Sequence, residues 1–240
     1  MRFILFFFIL RSLVCDLIAQ PVDKKYLLGQ FDPYSDARFS KLKDEHTGGS
    51  ARGGVLRKES YEAFQKMAEA AKKEGLTLTI ISATRNFESQ KGIWENKWNG
   101  KTKVEGKDLT TVKDKAERAK IILRYSSMPG SSRHHWGTDM DLNNLENSFF
   151  ESGNGLKIYQ WLKAHANEFG FCQPYTSKED GVRTGYEEEK WHWSYMPLST
   201  QFLDDYLKTV QYKDITGFKG SESADLIKII QNYVQGIGCK

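Results

Sequence analysis

A chain of 240 residues, 39% hydrophobic and 13% aromatic, has enough apolar mass for one sizeable core and too little length to argue for two. Its formal charge of +4 is mild, and its acidic and basic residues are interspersed with no Lys/Arg run, so a nucleic-acid partner is not expected.

The N-terminus reads MRFILFFFILRSLVCDLIAQ. A basic Arg2, an apolar run from Phe3 to Leu10 and a segment ending at Ala19 have the form of a secretory signal over residues 1–20, which implies export to the periplasm or cell envelope. A membrane span needs roughly 20 apolar residues, and Arg11 and Asp16 interrupt this run, so no stable span is expected. Lipid anchoring at Cys15 is the minor alternative, since Val14 is bulkier than the residue such sites usually carry before the cysteine. Disulfides persist outside the cytosol. Cys172 and Cys239 could pair there, but sequence separation alone leaves the question open.

Residues 21–54 are polar, rich in Gly, Asp and Lys, and read as an irregular segment leading into a domain over 55–240. In SYEAFQKMAEAAKKEG, Tyr61, Phe64, Met67, Ala68 and Ala71 recur at helical spacing, and Gly75 supplies a stop. The β-branched LTLTIIS predicts a strand over Leu76–Ile81. A helix is expected over Phe87–Trp98, an exposed loop over 99–107, and a second helix from Thr111 to Arg124, ended by the turn signal SSMPGSS. TDMDL starts a strand. Leu156, Tyr159, Leu162, Ala166 and Phe169 mark a helix stopping at Gly170, KWHWSYM alternates like a strand, and two helical segments follow Pro197. With no glycine-rich phosphate loop after a strand, this order argues for an α+β domain rather than a nucleotide-binding doubly wound sheet.

Two stretches carry chemistry. SSRHHWGTDMDL and EEEKWHWSY together offer His134, His135, Asp139, Asp141, Glu189 and His192 as metal-suited side chains, and a catalytic zinc site needs three of them plus an open position. No HExxH occurs, so a site must be assembled from loop and strand residues. On a strand Asp139 and Asp141 share one face, with Thr138 and Met140 on the other, and Gly137 permits a sharp turn that folds His134 back toward them. In the second stretch His192 faces away from Trp191 and Trp193. Glu189 has the wrong parity for the same pocket unless the chain bends near Lys190. His46 and His165 have no such neighbours in sequence.

These residues carry a resemblance. Ser132, His134, Gly137 and Asp141 meet the pattern S-x-H-x-x-G-x-A-x-D, and Glu189, Trp191 and His192 meet E-x-W-H. Ser82, Arg85 and Gln90 in SATRNFESQ echo S-x-Y-R-S-x-x-x-Q. The chain resembles the VanY-type D-alanyl-D-alanine carboxypeptidases, zinc metallopeptidases related to the lysostaphin and hedgehog zinc-domain group.

The resemblance implies a central, mainly antiparallel sheet carrying the site, with helices packed around it. It also implies one zinc ion per chain on His134, Asp141 and His192, with Glu189 as general base toward zinc-activated water and Arg85 steadying substrate or oxyanion. Ser132, Gln90 and His135 complete the expected substrate-binding set. The expected substrate is a peptidoglycan stem peptide that loses a terminal D-amino acid to a monomeric enzyme. An endopeptidase, an L,D-carboxypeptidase or a zinc-containing wall-binding module would share the same centre.

Among the departures from the pattern, Asp139 replaces a small residue, Lys190 a common proline and Asn86 a serine. Asp139 could compete for the metal, hydrogen-bond a ligand histidine, or lower the Lewis acidity of zinc.

Overall fold

The computed structural model describes residues 22–179, 181 and 183–239; the expected signal and Cys15 lie outside them. Residues 22–54 are less irregular than their composition suggests, because they contribute a one-turn helix α1 (Lys24–Leu27) and a strand β1 (Phe39–Lys41). Strand β1 pairs antiparallel with β2 (Val55–Arg57), and Tyr26, Leu27 and Phe39 enter the core. Apolar residues too sparse to show a period still bury where the rest of the chain supplies the partner surface.

Helix α2 (Lys58–Lys73) buries Tyr61, Phe64, Met67 and Ala71, as the spacing requires. Strand β3 is shorter than expected, Ile80–Ser82, because its partner β4 (Asp139–Leu142) ends opposite Ile80. Beyond that point Asn143 takes over: its backbone N–H donates to the Thr79 carbonyl (2.8 Å) and its side chain to that of Thr77 (2.8 Å). Leu76 and Leu78 are buried without joining the ladder.

Helix α3 spans Phe87–Trp98, and the carboxamide oxygen of Asn86 accepts from the Ser89 N–H (2.9 Å). Asparagine caps about as well as serine, so that departure keeps the helix start intact. Helix α4 (Lys115–Ile122) starts later than Thr111 because the Asp114 carboxylate caps it through the Glu117 N–H. Helix α5 (Gly153–His165) runs into a 3-10 turn over Ala166–Phe169, then β5 (Phe171–Cys172) and β6 (His192–Tyr195) complete the sheet. Helix α6 (Met196–Thr209) and a short α7 (Ser223–Leu226) follow, with a π-helical turn over Ile230–Val234.

The main sheet has the order β3-β4-β6-β5, with all pairs antiparallel. Its central register sets Asp139 opposite Ser194, Met140 opposite Trp193 and Asp141 opposite His192. Since side chains alternate along a strand, one face is apolar and one polar. Met140, Leu142 and Trp193 pack with Phe64, Met67, Ile158 and Trp161 under α2 and α5. The polar face meets the second core, where α1, α3, α4 and α6 gather Trp94, Trp136, Phe202 and Tyr206. The result is a single α+β domain, with the polar residues of the sheet enclosed between its two halves.

Cys172 and Cys239 are bonded, with their Cα atoms 6.0 Å apart, and this ties the C-terminal tail to β5. The bridge spans 67 residues of sequence, so closing that loop in the unfolded chain is worth about 4 kcal/mol on the loop-entropy relation. Replacing both cysteines by serine should lower unfolding free energy by roughly 2–4 kcal/mol in a urea titration. A loss below about 1 kcal/mol would mean that the tail holds its place without the bridge.

Candidate metal centre

His134 sits in a 3-10 turn (Arg133–Trp136) that ends at Gly137, whose φ of 73° turns the chain into β4. A Cβ at Gly137 would lie 2.4 Å from the Phe39 ring, so both conformation and space require glycine there. The His134 Nδ1 lies 2.9 Å from the Ala83 carbonyl, which leaves Nε2 to face Asp141 Oδ1 at 3.4 Å. His192 comes from β6, and its Nδ1 stands 3.1 Å from the same oxygen.

Glu189 reaches the same place through a turn rather than a strand. The His192 N–H closes back on the Glu189 carbonyl (3.3 Å), and this brings Glu189 Oε2 to 3.5 Å from His192 Nδ1. Trp191, displaced from the strand by the same turn, lines the cleft, whereas Trp193 enters the apolar core. The turn is clamped from outside: Asn147 donates to the Glu188 carbonyl (2.8 Å) and accepts from the Lys190 N–H (3.0 Å). A proline at 190 has no N–H to give, so lysine adds a bond there.

His134, Asp141 and His192 offer ligand atoms within 4.8 Å of one another, all buried. Asp141 Oδ1 is enclosed and accepts no hydrogen bond. A buried, unsatisfied carboxylate oxygen between two imidazole nitrogens fits a zinc-binding donor set. The two histidines and one carboxylate are the donors that would hold the ion.

Burial would raise the Asp141 carboxyl, but His134 and His192 hold it well below its usual range. Burial and the Arg85 charge push the His134 imidazole down. For His192 burial is outweighed by Asp139 and Asp141, which lift it to about 9. Glu189 rises to about 8, chiefly through burial, with Asp141 adding and His192 and Arg85 opposing. A cation held by this donor set favours its carboxylate form and displaces the proton from His192 Nδ1.

Arg85 lines the cleft, a cavity of about 750 Å³, alongside His134, Asp141, Glu189 and His192. His135, Gln90 and Ser132 are not among its lining residues. His135 is fully enclosed, its Nδ1–H donating to the Arg85 carbonyl (2.6 Å) and its Nε2 accepting from the Gly130 N–H (3.0 Å). With both nitrogens engaged it has none to offer an oxyanion, and its work is to join the Arg85 and Gly130 loops. Gln90 donates to the Ser127 carbonyl (2.8 Å), bracing the cleft wall, and Ser132 precedes the 3-10 turn.

Lys97, Tyr175 and Asn147 line the cleft as well, and motif reading missed them. Lys97 carried a signal, since it follows Gln90 and Trp94 at i+7 and i+3 and so borders the buried stripe of α3. Tyr175 sits in a loop and Asn147 opens a 3-10 turn (Asn147–Glu151), and neither carried one.

Burial pushes His135 down to about 3 from 6.5, so between those values the unfolded chain binds the extra proton. Stability must then fall as pH drops from about 6.5 toward 3. Urea unfolding across this range should trace that fall, and His135→Gln should flatten it; an unchanged slope would mean His135 is not held neutral.

The sequence model of the family described as VanY, D-alanyl-D-alanine carboxypeptidase, matches residues 54–198. The chain is 30% identical over 206 residues to "Putative carboxypeptidase YodJ" of Bacillus subtilis (strain 168), covering 81% of this chain and 63% of that protein. The chain thus spans somewhat under two thirds of that relative's length. Its fold is similar to VanYB in complex with D-alanine-D-alanine (TM-score 0.50, 21% identity, 73% of this chain and 91% of that one). It is similar to the LdcB LD-carboxypeptidase to the same degree (TM-score 0.50, 22% identity, 82% and 80%). With the match extending over more than half its length, and its residues meeting in one cleft, the chain belongs to the VanY D-alanyl-D-alanine carboxypeptidase family.

Proposed function

We propose that this chain is an exported, monomeric zinc peptidase that removes the terminal D-alanine from peptidoglycan stem peptides ending in D-Ala-D-Ala. The observation that carries the reading is the placement of Glu189 Oε2 3.5 Å from His192 Nδ1, at the edge of a buried His/Asp/His set and open to the cleft. A purely structural metal site needs no such carboxylate.

His134, Asp141 and His192 would hold a zinc ion, which would supply Lewis acidity toward the scissile carbonyl and an attacking water. Glu189 takes the proton from that water as it attacks, then delivers it to the departing amine. Its enclosed carboxyl, at the edge of the His/Asp/His set and lining the cleft, suits both transfers. The Arg85 guanidinium, which lines the same cleft, would stabilise the negative charge that develops on the carbonyl oxygen.

Exopeptidase action needs a place for the substrate's free carboxylate. Arg85 and Lys97 both line the cleft, and among the described residues neither has a carboxylate in ion-pair contact. Lys97 donates to the Ser126 hydroxyl, and burial together with Arg85 lowers its pKa. A half-enclosed cation with only a neutral partner favours an anionic ligand. The Cys172–Cys239 bond supports an oxidising compartment, and among the described residues no helix is long and apolar enough to cross a membrane.

Mass spectrometry of stem peptides after incubation with the zinc-loaded protein tests this reading. The pentapeptide ending in D-Ala-D-Ala should lose one D-alanine, and Glu189→Gln should abolish the loss while retaining zinc. Cleavage of the tetrapeptide alone would replace it with an L,D-carboxypeptidase, and cleavage within a cross-link with an endopeptidase. Intact peptides with zinc retained would make the protein a binding module. Lys97→Met should raise KM for the free-carboxylate peptide roughly ten- to hundredfold with kcat little changed, the loss of one charge-assisted hydrogen bond.

A further inference from the structure

Asp139 and Asp141 lie two residues apart on one face of β4, yet their surroundings are opposite. Asp141 Oδ1 has no hydrogen bond, whereas both oxygens of Asp139 are saturated. Asp139 Oδ1 accepts from the Thr138 hydroxyl (2.7 Å) and the Ser194 hydroxyl (2.8 Å). Its Oδ2 accepts from Arg133 Nε (2.9 Å) and stands 2.9 Å from His192 Nε2. Asp139 is fully buried and does not line the cleft. It therefore lies behind His192, on the ring edge opposite the Nδ1 that faces Asp141 and Glu189, and cannot compete for the same ion.

We propose that Asp139 and Arg133 form a buried positioning pair that fixes the tautomer and orientation of His192 for the metal; this inference rests on the zinc reading above. Asp139 keeps the His192 proton on Nε2, which leaves the Nδ1 lone pair directed at the open position. Arg133 neutralises Asp139, so the carboxylate can be enclosed without an uncompensated charge. Arg133 also donates to the Ser194 hydroxyl (2.6 Å) and stacks over the Trp136 ring at 4.8 Å. Because it immediately precedes His134, the same guanidinium ties the turn bearing one ligand to the strands bearing the other two. At the position where the family pattern carries a small residue, this chain has built a charged tether.

The test measures zinc affinity by competition with a chromogenic chelator, beside cooperative melting of the same proteins in chelator. Asp139→Asn, and the double variant Asp139→Ala with Arg133→Met that leaves no charge unpaired, should each weaken zinc roughly ten- to hundredfold. The visible spectrum of the cobalt(II)-substituted protein should change with them. If both variants melt cooperatively, bind zinc within about threefold of the parent and keep its cobalt spectrum, the pair serves only to fill space and the proposal fails. Should the charge variants not fold, Ser194→Ala removes one bond to Asp139 with both charges still paired. A two- to threefold weakening there supports the tether, and unchanged affinity overturns it. A parent chain that binds no zinc, or binds it equally after His134→Ala, removes the zinc reading itself, a result distinct from failure of the tether.

Discussion

The register between β4 and β6 holds both halves of the molecule in place. Setting Met140 against Trp193 completes the apolar layer under α2 and α5, and the same pairing sets Asp141 against His192 on the opposite face. Because side chains alternate with a period of two, a slip of one residue would bury the carboxylates in that apolar layer and turn Met140 toward the cleft. Core packing thus enforces the geometry of the site. Burying Met140, Leu142 and Trp193 therefore also holds Asp141 beside His192.

Charge is the second constraint. The polar face encloses two aspartates, a glutamate, two histidines and an arginine, and enclosing ions is costly unless each finds a partner. Asp139 is fully compensated by Arg133, His192 and two hydroxyls, and its carboxyl lies well below its usual range despite burial. Asp141 is left with one unsatisfied oxygen and Glu189 with a raised pKa. The difference separates a carboxylate serving the fold from those available for chemistry.

Much of the fold was legible in local pattern. Helices α2 and α3 carry strong periodicity or clear ends, and the face-sharing of Asp139 and Asp141 follows from strand geometry alone. What was not legible depended on distant partners. The late start of β3 at Ile80 is set by where β4 stops, and the core residues of 22–54 bury against helices far away in sequence. Glu189 had the wrong parity for a strand, and only the turn closed by the His192 N–H brings it round. His135, adjacent to His134, was expected among the substrate-binding residues. Its ring nitrogens are consumed by the Arg85 and Gly130 backbones, groups 50 and 5 residues away. For Asp139, pattern alone left three roles open, and its four hydrogen-bond partners separate them.

The central claim is that His134, Asp141 and His192 form one metal site. Zinc K-edge X-ray absorption of the purified protein, combined with metal analysis, tests it most directly. The account predicts one zinc per chain with only nitrogen and oxygen neighbours at roughly 2.0–2.2 Å, and loss of that zinc in His192→Ala. Sulfur neighbours, or full zinc occupancy surviving His192→Ala, would contradict it.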